Sequence, residues 1–130
     1  MKPFKNQISG DLLKCKCCGQ HFYNIYLIAK LNYLLDLVRE KYHKELAINS
    51  VYRCPAHNAK VGGVFNSYHV RGMAADVTVE GVDPNELAAL AETVGFNGIG
   101  IYKTFVHVDI RETPARWTGK QPLKNGKEAL

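Results

Sequence analysis

The stretch Ser67-Tyr68-His69-Val70-Arg71-Gly72-Met73-Ala74-Ala75-Asp76-Val77-Thr78-Val79 decides the fold. Its two metal-capable residues, His69 and Asp76, stand seven positions apart. In a helix that gap would be two turns. Gly72 and the β-branched alternation after Ala75 argue instead for a loop that runs into a strand over Ala75 to Val79. A loop turning back at Gly72 brings His69 over the strand that carries Asp76. Gly72, Ala74 and Ala75 would leave that approach uncrowded.

Outward from this stretch the elements alternate. Upstream, Leu27, Ile28, Leu31, Leu34, Leu35, Val38 and Tyr42 recur at three- and four-residue steps, with Lys30, Asp36, Arg39, Glu40 and Lys41 between them. This spacing predicts an amphipathic helix of about 18 residues capped by Asn24. Leu46 to Tyr52 reads as a short strand. Pro55 opens a turn or short helix that Gly62-Gly63 ends. Downstream, Asp83, Pro84 and Glu86 make a helix start, Leu87, Leu90, Ala91 and Val94 its apolar face, and Gly95 its stop. Ile99 to Tyr102 and Phe105 to Ile110 read as a hairpin joined at Lys103-Thr104. The order helix, strand, loop, strand, helix, hairpin points to an α+β fold with a small, mostly antiparallel sheet and flanking helices. Residues 1–23 read as an irregular segment, 24–117 as the domain and 118–130 as a flexible tail.

The chain has 130 residues, 46% of them hydrophobic and 22% charged, which suits one globular domain. No apolar run approaches the roughly 20 residues of a membrane span, so no membrane insertion is expected. The net charge of +5 suits an anionic partner, but the basic residues are scattered and no nucleic-acid-binding signature accompanies them. Behind Lys2 and Lys5 there is no apolar segment of the kind a secretory signal carries. The expectation is a monomer that is cytoplasmic as synthesised and acts at the cell wall after release.

His69, Asp76 and His107 are the candidate metal ligands. His107 lies in Phe105-Val106-His107-Val108-Asp109, among apolar neighbours on a strand. Two histidines and one carboxylate leave a fourth tetrahedral position open for water, the arrangement of a catalytic zinc. Each residue taken singly is ordinary, and a lone strand histidine is more often a hydrogen-bonded core residue.

Taken together, Ser67-x-His69-x-x-Gly72-x-Ala74-x-Asp76 resembles the motif of the zinc D-Ala-D-Ala carboxypeptidases and L-alanyl-D-glutamate endopeptidases. These act on bacterial peptidoglycan and share the hedgehog/DD-peptidase fold. Ser50-Val51-Tyr52-Arg53-Cys54-Pro55-Ala56-His57-Asn58 resembles the segment upstream of that motif. Gly98-Ile99-Gly100-Ile101-Tyr102 with Phe105 to Asp109 resembles the segment bearing the last ligand, and Pro114-Ala115-Arg116-Trp117 the ending of phage and prophage members. The resemblance implies a zinc held by His69, Asp76 and His107. It implies that Arg53 faces the substrate and stabilises charge at the scissile carbonyl, and that Ser67 lines the substrate pocket. Many members carry an acid three residues before the last ligand as general base, and here that position is Thr104. Asp109 is the nearest substitute, on the same strand face as His107. It is either the base or the carboxylate that orients a ligand imidazole.

Cys15, Cys17, Cys18, His21 and Cys54 form a candidate set for a second, structural zinc. Buried thiols and a disulfide are the alternatives. The function expected is a zinc metallopeptidase, of carboxypeptidase or endopeptidase type, acting on peptidoglycan stem peptides. The rivals are a non-catalytic zinc-containing module that binds wall peptides or a protein, and a basic nucleic-acid-binding zinc protein built on the cysteines.

Overall fold

The computed structural model describes residues 24–50, 68 and 72–119. It opens on helix α1 (Ile25–Tyr42), whose Asn24 side chain accepts from the Tyr26 amide at 2.7 Å. Arg39 and Lys41 sit in the last turn, where cations suit the carbonyl end of a helix. His43, in the left-handed region at φ 57°, closes the helix by donating its amide to the Arg39 carbonyl.

Helix α2 (Pro84–Val94) starts at Asp83, which accepts from the Asn85 amide at 2.7 Å. It stops at Gly95, whose φ of 101° a side chain would resist. Both helices follow the sequence pattern residue for residue, because caps and apolar periodicity agree. Among the described residues, no helix is long and apolar enough to cross a membrane.

Among the described residues, five strands form one sheet: β1 (Ala47–Ser50), β2 (Ala74–Thr78), β3 (Gly98–Ile101), β4 (Val106–Asp109) and β5 (Ala115–Thr118). Their spatial order is β1-β2-β4-β3-β5. Three of the pairings are antiparallel, and β5 lies parallel to β3. The fold is thus the small, mostly antiparallel α+β arrangement expected. The hairpin closes with the Tyr102 amide on the Phe105 carbonyl at 2.9 Å, around the exposed pair Lys103-Thr104. Strand β5 is the unexpected element. The short helix expected at Pro55, the cysteine cluster and residues 120–130 of the tail expected over 118–130 lie outside the described residues, while Thr118 belongs to β5.

Alternation along the strands gives the sheet two unlike faces. One carries Ala75, Val77, Ile99, Val106 and Val108, all buried in a cluster with Leu27, Leu31, Leu34 and Val38 of α1 and Leu87, Ala91 and Val94 of α2. The other carries Asp76, His107, Asp109, Gly98, Gly100 and Trp117. The apolar face anchors the sheet to the helices, and the polar face is left for chemistry.

Candidate active site

Strand register sets the polar face out in rows. Asp76 on β2 is opposite His107 on β4, which is opposite Gly100 on β3, which is opposite Trp117 on β5. One step along, Ala74 is opposite Asp109, then Gly98, then Ala115. Each glycine makes room for a functional neighbour. A Cβ at Gly98 would overlap the Asp109 carboxylate, and one at Gly100 would overlap the Trp117 indole. Small residues in one strand therefore allow large or charged ones in the next.

The His107 ring is 1% exposed and held at both nitrogens. Nδ1 stands 3.2 Å from Asp76 Oδ1, and Nε2 stands 2.7 Å from Asp109 Oδ2. Trp117 lies beside the ring, at 5.4 Å between centroids. Asp109 is fully buried and accepts three more bonds, all from Arg111: the backbone amide at 3.1 Å and Nε at 2.8 Å on Oδ1, and Nη2 at 2.6 Å on Oδ2. The Arg111 guanidinium lies over the rings of Tyr68 at 4.6 Å and Trp117 at 4.9 Å.

Burial disfavours charge on both His107 and Asp109, and the bonds outweigh it. The hydrogen bonds that the His107 ring donates to Asp109 and Asp76 raise its pKa despite its burial. Bonds from Arg111 and His107 hold the Asp109 carboxyl well below the usual carboxylate range, also against its burial.

Two donors at zinc-ligand distance on a tetrahedral centre stand roughly 3.3 Å apart. The 3.2 Å between His107 Nδ1 and Asp76 Oδ1 matches that spacing. The ring can give Nδ1 to a metal while its Nε2–H donates to Asp109, the usual partnership of a ligating imidazole and a carboxylate. Asp76 and His107 thus offer two donors at a spacing that suits zinc, and among the described residues no group of three that could hold a metal stands together. Of the sequence-assigned residues, the sheet brings Asp76, His107 and Asp109 together. His69, Arg53 and Ser67 lie outside the described residues. The turn beside His69 is described at its flanks: the Met73 amide donates to the Tyr68 carbonyl at 2.9 Å, and Gly72 has a φ of 71°. Thr104, three residues before His107, is exposed in the hairpin turn.

Sequence reasoning missed Arg111 and the paired glycines. The signal was present in both cases. His107, Asp109 and Arg111 alternate onto one face, and Gly98 and Gly100 alternate on the neighbouring strand.

The polar sheet face thus presents a buried histidine between two carboxylates, Asp76 and Asp109. The chain belongs to the peptidase M15 family, whose model matches residues 7–109. It is also similar to the probable peptidoglycan L,D-endopeptidase MepK of Haemophilus influenzae, with 32% identity over 97 residues, 69% of this chain. The match covers 47% of that relative, so the chain spans about half the length of the curated protein it resembles.

Proposed function

We propose that this chain is a zinc-dependent peptidase that hydrolyses peptide bonds in bacterial peptidoglycan stem peptides. The observation that carries the reading is the His107 ring, fixed between Asp76 and Asp109 with its Nδ1 edge at ligand spacing from Asp76. Family membership and the name of the Haemophilus relative support the substrate class. Asp76 and His107 would hold the zinc together with His69. Bound zinc supplies a Lewis acid and lowers the pKa of water at the site. Arg53 would place positive charge where an oxyanion develops, and Ser67 would line the substrate pocket. The +5 charge of the chain suits an anionic wall polymer.

Of the two roles open to Asp109, the geometry favours orientation of His107 over proton abstraction. Both its oxygens are engaged by Arg111 and His107, and it has no exposed surface. The same observation gives the binding-module reading its support, since the base candidate nearest the site is already engaged.

Digestion of purified peptidoglycan followed by mass analysis of the fragments separates the two. Cleaved stem peptides from the zinc-loaded protein, and none from His107→Ala, support the peptidase. Zinc-loaded protein that binds the polymer and releases nothing supports the module.

A further inference from the structure

We infer that Arg111 is a positioning residue that fixes the His107 ring through Asp109, and that Tyr68 and Trp117 hold Arg111 in place for that task. The inference rests on the metal-site reading above and extends it to residues with no assigned role.

The argument starts from the cost of burying a carboxylate. Asp109 is fully buried, and a carboxylate there needs a partner with fixed geometry. Arg111 supplies a fork: Nε on one oxygen at 2.8 Å and Nη2 on the other at 2.6 Å, with its backbone amide also on Oδ1. A bidentate fork sets the plane of the carboxylate as well as its position. The Oδ2 atom so placed meets His107 Nε2 at 2.7 Å. The orientation of the fork therefore passes to the imidazole, and with it the direction of Nδ1 towards Asp76.

The fork is fixed in turn by its neighbours. The guanidinium lies over Trp117, which occupies the space Gly100 leaves open. It also lies over Tyr68, which adjoins His69 in sequence. Arg111 thus touches three segments: the end of β4, strand β5 and the turn before β2. Lysine would keep the charge but would lack both the fork and the planar surface that covers the rings.

The test compares zinc affinity, measured by competition with a chromophoric chelator, in wild type, Arg111→Lys and Arg111→Met. Nitrogen NMR of the His107 ring in the metal-free proteins is the second readout. We expect zinc affinity to fall about 10–100-fold in both variants, the usual effect of removing support from a ligating histidine. The His107 nitrogen signals should shift as the Nε2 bond loosens. Arg111→Lys keeps a counter-charge for Asp109, so it decides the matter if Arg111→Met does not fold. Wild-type zinc affinity and unchanged ring signals in Arg111→Lys, even with a lowered melting temperature, would overturn the inference. Failure of the wild type to bind zinc would instead bring down the metal-site reading, and the inference with it.

Discussion

Replacing Gly98 by alanine adds one methyl group at the point where the site has least room. Gly98 is opposite Asp109 in the β3–β4 register, and the new Cβ would overlap the carboxylate carbon and both oxygens. Those atoms cannot yield easily, since Arg111 grips them from one side and His107 from another. Overpacking of a close-packed site costs about 1–3 kcal/mol. Loosening a hydrogen bond to a charged group adds about 1.5–3 kcal/mol. Together they come to about 2.5–6 kcal/mol, which corresponds to a fall in Tm of roughly 10–20 °C for a chain of 130 residues. Zinc affinity should fall with it, because the displaced carboxylate no longer steadies the ring. Calorimetry and chelator competition read the two effects. Gly81→Ala is the control. It carries a left-handed φ of 77° and its new Cβ would meet only the flexible end of Lys44, so it should cost about 1–2 kcal/mol and leave zinc affinity unchanged. A Gly98→Ala protein with wild-type Tm and wild-type zinc affinity would refute the reasoning.

Asp109→Asn separates orientation from base catalysis. As an orienting group its loss should lower zinc affinity about 10–100-fold, with activity recovered in excess zinc. As a base its loss should lower turnover about 10²–10⁴-fold at full occupancy. Leu34→Ala, in the fully buried face of α1, should cost about 2–5 kcal/mol in denaturant unfolding and leave zinc affinity intact. In the metal-free protein the raised His107 pKa contributes stability that is complete below about pH 6.5 and lost as pH rises through the folded value. The lowered Asp109 pKa contributes stability present above about pH 3.9 and lost as pH falls. Melting temperatures of the metal-free protein should therefore peak between those limits, and His107→Gln should remove the decline on the alkaline side.

The two helices were legible because local signals coincide: Asn24 and the apolar steps of α1, and Asp83, Pro84 and Gly95 around α2. The β3–β4 hairpin was legible for the same reason, since its turn is local. Strand β5 was not. Ala115-Arg116-Trp117-Thr118 is short and follows Pro114, and its pairing is parallel to a strand it does not adjoin in sequence. Such a strand is made by tertiary placement rather than by propensity. At the site, motif residues point to Asp76 and His107 as ligands of one metal, and the strand register sets the two opposite each other. The alternation of His107, Asp109 and Arg111 marks Arg111 in the sequence, but the packing that holds it depends on Trp117 and Tyr68 arriving from other segments.

The two strands that carry Asp76, His107 and Asp109 are interior to the sheet, each hydrogen-bonded on both sides. Among the described strands β1 and β5 are the outer two, and fraying reaches such positions before interior ones. The amides beneath Asp76, His107 and Asp109 then belong to the slowest-exchanging part of the sheet. The sheet face that carries these three side chains is therefore as rigid as the fold itself.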